Sequence, residues 1–265
     1  MSEERPEPQE QSAAAPSPFP PIADYAFLSN CHTGALVAPD GSIDWLCVPR
    51  FDSPSVFGAL LDRQAGGFRL GPFGVTVPNT RTYEPGTNTL VTTWNTRGGW
   101  VVVRDALTMG PRIGPDRITP STRPPSDNGA DHMLVRTVQC IDGQVEIELA
   151  CEPVFDYGRT SVQWTLLDGD NRVADAAAGD LKLRLQSSMH LGIEGGSVRG
   201  RHLLTVGEEI AVRAPRCLRM PPMAQRPMSP GIIGLAAGMK QVRHEGISAI
   251  HQREMVMLER LHQGL

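Results

Sequence analysis

The chain reads as an all-β protein: an antiparallel β-sandwich over residues 20–212 with one short helix, then an irregular tail over 213–265 that ends in an amphipathic helix. Three observations lead there. Short runs rich in Val, Ile, Thr and aromatic residues recur along 20–212, a composition suited to pleated, half-buried surfaces. Turn residues (Gly, Asn, Asp, Pro) separate these runs at short intervals. Within that span one segment alone has helical spacing, so there are no helices to build the crossovers of a parallel sheet.

Residues 1–19 are rich in Glu, Gln, Pro, Ser and Ala and poor in large apolar side chains. They cannot bury enough surface to offset the entropy of ordering, so a disordered tail is expected. Order begins at Asp24-Tyr-Ala-Phe-Leu-Ser29, with Tyr25 and Phe27 as anchors. Gly34–Ala38 and Ser42–Val48 make a hairpin around Asp40-Gly41, read as a two-residue turn. Its second strand puts Ile43, Trp45 and Cys47 on one alternating face and stops at Pro49. There follows the polar cluster Arg50-Phe51-Asp52. A guanidinium and a carboxylate beside an aromatic ring can grip hydroxyl-rich ligands or pin a loop by an internal ion pair, and spacing favours the ion pair. In Ser55–Asp62, Val56, Ala59 and Leu60 fall at helical spacing, with Ser53 or Ser55 as cap and Gly66-Gly67 as terminator.

Phe68–Gly71 and Val75–Pro78 read as brief extended pieces, Arg81–Asn95 as two strands, and Trp100–Leu107 as a buried strand. The five prolines between Gly110 and Asp131 mark a long loop. His132–Cys140 and Val145–Cys151 bracket Ile141-Asp-Gly-Gln144 and read as a hairpin. Glu146 and Glu148 share its solvated face. Side chains two apart on one strand point the same way, so this pair cannot flank a glycosidic bond from opposite sides. Glu152–Arg159 is a second aromatic-polar cluster, with Phe155 and Tyr157 around Asp156 and Arg159 close by. Val162–Leu166, Leu181–Leu185 and His202–Val206 complete the expected strands. In the tail, Ile250, Met257, Leu258 and Leu261 give the terminal helix its apolar face.

The motifs Tyr25-Ala-Phe-Leu-Ser-Asn30, Asp40-Gly-Ser-Ile-Asp-Trp-Leu46, Pro49-Arg-Phe-Asp-Ser-Pro54 and Val56-Phe-Gly-Ala-Leu-Leu-Asp62 closely resemble the amino-terminal domain of bacterial glycoside hydrolase family 15, which includes glucoamylase-like enzymes and trehalases. The resemblance runs from about Pro18 to about Val212. It implies a supersandwich-like β domain that precedes an (α/α) barrel bearing the catalytic carboxylates, and hydrolysis of an α-glucoside or trehalose with inversion. No catalytic residue is therefore assigned among the remaining carboxylates on ordered segments: Asp44, Asp52, Glu84, Asp105 and Asp156. Trp45, Arg50, Phe51, Asp52, Asp156, Tyr157 and Arg159 are the residues expected to shape a substrate pocket or dock the barrel. Beyond Val212 the resemblance ends and the Trp-x-Arg-Asp type of motif is missing. The expectation is a truncated relative, inactive by itself, with a reading-frame change near Ala214 as one origin. The alternative is a carbohydrate-binding or protein-interaction module.

Composition excludes other classes. The net charge of −4, with 25 basic against 29 acidic residues, provides no basic footprint for nucleic acid and no polybasic membrane anchor. The acidic start lacks the features of a signal peptide, so a cytoplasmic location is expected. The five cysteines form no Cys-x-x-Cys pair; Cys47, Cys140 and Cys151 lie in apolar runs and read as core. The seven histidines are scattered, and neither a metal nor a cofactor is expected. A sandwich without its barrel is expected to expose an apolar docking face, and so to self-associate or dissolve poorly unless the terminal helix covers it.

Overall fold

The computed structural model describes residues 19–108, 133–167 and 169–214. The expectations for 1–18, for the Pro-rich loop, for Cys217 and for the tail with its helix lie outside the described residues. After a 3₁₀ turn at Ile22–Asp24, the chain forms β1 (Ala26–Ser29), β2 (Gly34–Val37), β3 (Ser42–Cys47), β4 (Ser55–Phe57), β5 (Gly66–Pro72), β6 (Thr80–Tyr83), β7 (Leu90–Thr96) and β8 (Gly99–Leu107). It continues with β9 (Leu134–Val154), a short helical segment α1 (Phe155–Gly158), β10 (Thr160–Ser161), β11 (Gln163–Leu166), β12 (Val173–Ala178), β13 (Leu181–Ser187), β14 (Gly192–Glu194), β15 (Ser197–Thr205) and β16 (Glu209–Ala214). The architecture is an all-β sandwich, and no helix among the described residues is long and apolar enough to cross a membrane.

Two antiparallel sheets share β9. The first runs β1-β2-β3-β5-β9-β15-β14, with β4 beside β3. The second runs β6-β7-β8-β9-β16-β13-β12-β11. The core lies between them and includes Leu28, Ile43, Phe57 and Phe68 from the first sheet and Trp94, Val101, Val138 and Leu185 from the second.

The expected hairpin across Ile141–Gln144 is not formed. β9 is one strand of 21 residues, far longer than the usual five or six. Leu134, Arg136, Val138 and Cys140 are buried in its first half, and Val145, Ile147, Leu149 and Cys151 in its second. The change of parity has a local cause. Trp100 pairs with Asp142 and Val101 with Cys140, which leaves Ile141 as the extra residue of a bulge. Gly143 (φ 67°) completes the bend, and a Cβ on it would overlap the Gly98 carbonyl oxygen. The Asp-Gly dipeptide thus re-aims one strand from one sheet to the other and does not reverse the chain.

Other expectations are corrected in the same way. Ser55-Val-Phe is a strand, not the start of a helix: Leu46 pairs with Phe57 and Cys47 with Ser55, and the three residues of β4 are all buried. Burial against β3 overrides the helical spacing. The Asp40-Gly41 turn is a three-residue loop, closed by Ala38 N–H to Ser42 O (2.7 Å) and Gly41 N–H to Ala38 O (3.1 Å). Gly41 (φ 83°) takes its left-handed position. Val75–Pro78 is not a strand, while β12 and β14 form from stretches the pattern did not mark. In β1 the anchor is Leu28, fully buried, whereas Phe27 is 47% exposed. In β3, Asp44 and Leu46 are buried along with Ile43 and Cys47, and Trp45 is half-buried.

Candidate functional site

On the outer side of the first sheet, the turn after β4 and α1 lie against one end of β9. The turn is built tightly. Leu60 N–H donates to the Asp44 carbonyl (2.9 Å), Ala65 N–H to the Asp62 carbonyl (2.8 Å) and Gln64 N–H to the Asp62 carboxylate (2.9 Å). This projects Arg63 back over Asp44, which is 1% exposed. Arg63 Nη1 donates to Asp44 Oδ2 (2.9 Å), Tyr25 OH donates to the same oxygen (2.7 Å), and Arg63 Nη2 donates to Tyr25 OH (3.1 Å). The guanidinium also stacks on Phe19, 4.5 Å from the ring centroid. Burial and the hydrogen bond to Asp44 push the Tyr25 phenol up to about 12.

α1 leaves β9 through a left-handed turn. Phe155 stays in the core, while Asp156 (φ 53°) and Tyr157 (φ 59°) are both left-handed. For non-glycine residues that conformation costs on the order of 1–2 kcal/mol each. It is held by Tyr157 N–H donating to Ser55 Oγ (2.9 Å) and by Arg159 N–H donating to the Phe155 (3.1 Å) and Asp156 (3.2 Å) carbonyls. The result turns Tyr157 outward, 41% exposed, with its ring 6.1 Å from Trp45 at 35°.

Between turn and α1 lies a concavity of about 560 Å³ lined by Asp62, Arg63, Gln64, Ala65, Glu152, Val154, Tyr157, Gly158 and Ser161. A smaller one, about 280 Å³, lies farther along β9 among Glu148, Glu194, Arg199, Gly200 and Arg201. There the charges are already paired. Glu148 accepts from Arg69 (3.1 Å) and Arg201 (3.5 Å), and Arg201 stacks on Phe73 at 3.6 Å.

The residues singled out from sequence divide accordingly. Tyr157 lines the larger concavity; Trp45 does not, but meets the Tyr157 ring. Asp156 meets Arg159 at 3.8 Å. Arg50 and Asp52 form a two-pronged ion pair (2.8 and 2.6 Å) with both side chains 52% exposed; their loop is tied by Phe51 N–H to the His32 carbonyl (3.0 Å), and Phe51 points to solvent, 53% exposed. None of Arg50, Phe51 and Asp52 lines the concavity. Sequence reasoning missed Asp62, Arg63, Gln64, Glu152 and Ser161. The available signal was Asp62-Arg63-Gln64, three polar side chains directly after an apolar run.

Asp44, Asp52, Asp105 and Asp156 are each taken by an arginine: Arg63, Arg50, Arg136 and Arg159. Asp62 and Glu152, which line the concavity, are exposed. Among the described residues no three His, Cys, Asp or Glu side chains are grouped to hold a metal ion.

Residues 15–112 match the family model described as "Trehalase-like, N-terminal". The chain is 51% identical to the trehalase of Mycolicibacterium smegmatis over 209 residues, which is 76% of this chain and 31% of that protein. It is 47% identical to the trehalase of Mycobacterium tuberculosis over 213 residues, 77% of this chain and 31% of that protein. The trehalase of Thermoplasma volcanium matches at 31% identity over 145 residues, 53% of this chain and 21% of its own length. The matched region thus spans about a third of the two mycobacterial relatives. Over residues 15–112 this chain belongs to the family of trehalase-like amino-terminal domains.

Proposed function

We propose that residues 20–212 are the amino-terminal β-sandwich of a family 15 glycoside hydrolase of the trehalase type, flanked by 1–19 and 213–265, and that the sandwich serves cleavage of an α-glucosidic bond without supplying its acid and base. The observation that carries this reading is the identity of 51% and 47% to two trehalases over some three quarters of the chain. The pairing of four carboxylates with arginines supports the non-catalytic part. In this reading the Arg50–Asp52 loop and the turn at 155–159 face the catalytic domain, with Trp45 and Tyr157 at the rim of the substrate approach. Leu61 (60% exposed) and Tyr157 (41% exposed) leave apolar surface on this side, and the sandwich is expected to self-associate there when no catalytic domain is docked on it, read by size-exclusion chromatography. A cytoplasmic location accords with the free thiols of Cys31, Cys47, Cys140 and Cys151.

The test is a chimera in which residues 20–212 replace the corresponding segment of the Mycolicibacterium smegmatis trehalase. Retained trehalose hydrolysis supports the reading; a folded chimera with no activity rejects it. Arg50→Ala with Asp52→Ala in that chimera is expected to lower kcat/KM or weaken domain docking, and unchanged kinetics and docking would remove that loop from the rim.

A further inference from the structure

We infer that the concavity between the β4–β5 turn and α1 is itself a binding site for a neutral glucoside, independent of any catalytic domain. The inference rests on the trehalase-type reading only for the choice of glucosides as probes. Its volume of about 560 Å³ falls within the roughly 300–1,000 Å³ of small-molecule sites. Tyr157 offers a ring face held outward by a left-handed backbone and backed by Trp45, suited to the C–H face of a pyranose. Gln64, Glu152 and Ser161 line the cavity, and among the described residues their side chains make no hydrogen bond or ion pair. Their capacity is free for ligand hydroxyls, and the amide and carboxylate are planar groups that can each engage two neighbouring hydroxyls.

Charge selects the ligand class. Arg63 is the cation of the lining, but Asp44 neutralises it at 2.9 Å. Asp62 and Glu152 then leave the lining net negative, which disfavours phosphorylated or acidic sugars and favours neutral ligands rich in hydroxyl donors.

The experiment titrates the full chain with trehalose, maltose and glucose, and with glucose 6-phosphate as the charged control, read by calorimetry and by two-dimensional amide and indole NMR. Trehalose or maltose is expected to bind with a dissociation constant on the order of 1 mM, shifting the Trp45 indole and the Tyr157 and Gly158 amides saturably. Glu152→Gln and Tyr157→Ala are each expected to weaken binding about fivefold or more, and glucose 6-phosphate to bind at least about tenfold more weakly. Gln64→Ala, on an exposed turn, is the second variant should Tyr157→Ala fail to fold, with the same expected direction. No saturable shift with any neutral glucoside, a shift unchanged in Glu152→Gln and Gln64→Ala, or equal binding of glucose 6-phosphate would overturn the inference. A chain that binds no sugar while the chimera stays active would sink this inference alone, and sugar binding beside an inactive chimera would sink the trehalase reading alone.

Discussion

Arg136 and Asp105 face each other across the β8–β9 ladder as a buried ion pair, with Nε to Oδ1 at 2.7 Å and side chains 0% and 1% exposed. The guanidinium does more than neutralise the carboxylate. Its Nη1 donates to the Phe68 carbonyl on β5 (2.7 Å) and its Nη2 to the Gly41 carbonyl in the β2–β3 loop (2.6 Å), and it stacks on the Phe68 ring at 4.9 Å. One side chain therefore ties the two sheets where they diverge from β9. Removing one partner leaves an uncompensated buried charge, so Arg136→Met or Asp105→Asn is expected to cost about 3–5 kcal/mol in urea unfolding. The double replacement Asp105→Leu/Arg136→Met is expected to recover part of that loss, and a single variant within about 0.5 kcal/mol of the parent would contradict the tie.

The bulge in β9 makes its own prediction. Deleting Ile141 removes the residue that shifts the parity: Val145, Ile147 and Leu149 then stay on the face of Cys140 in a regular strand, and the bend that carries β9 from one sheet to the other is lost. That variant is expected to lose about 1–3 kcal/mol of stability in urea unfolding. Gly143→Ala is expected to destabilise by more than about 1 kcal/mol, because the new Cβ must hold a positive φ and displace the Gly98 carbonyl. Native stability of the deletion variant would show that the path of β9 between the sheets does not need the bulge.

How much of this was legible in the sequence depends on which force decided each element. The Val-rich run of β8 and the Thr-rich strands β6 and β7 follow from side-chain pattern, and so does the β-sandwich class. The course of β9 does not, because Ile141-Asp-Gly-Gln144 has the chemistry of a turn and only the positions of β8, β5 and β15 make it a bulge. Ser55-Val-Phe was likewise decided by burial against β3. At the site, Tyr157 and Trp45 stood out as aromatics among polar residues, whereas Arg63 and Glu152 are brought together by tertiary structure from segments some ninety residues apart.

Tyr25 provides a pH test. Its phenol is raised from an ordinary 10.0 to about 12, by burial first and then by its hydrogen bond to Asp44. Between those values the folded chain keeps a proton that the unfolded chain has lost, so stability is expected to fall as pH rises through that window. Absorbance titration of tyrosinate is expected to show a step near 12 that Tyr25→Phe removes. The same step persisting in Tyr25→Phe would contradict the assignment.

Thiol reactivity is expected to follow burial. Burial, then the nearby Asp52 carboxylate, raises Cys47 to about 11, and burial pushes Cys151 well above the ordinary thiol range. Alkylation of the native chain at about pH 8 is expected to modify Cys31, which is exposed, and to spare Cys47, Cys140 and Cys151 until unfolding. Mass mapping that finds Cys140 or Cys151 modified in the folded chain would contradict the described core.

The sharpest measurement is glucose release from trehalose by the purified chain, alone and mixed with the part of the Mycolicibacterium smegmatis trehalase that lies outside the matched region. The expected result is none from the chain alone and glucose from the mixture, above what the remainder yields by itself. Glucose from the chain alone, abolished by Asp62→Asn or Glu152→Gln, would make the β-sandwich a hydrolase in its own right and contradict the account.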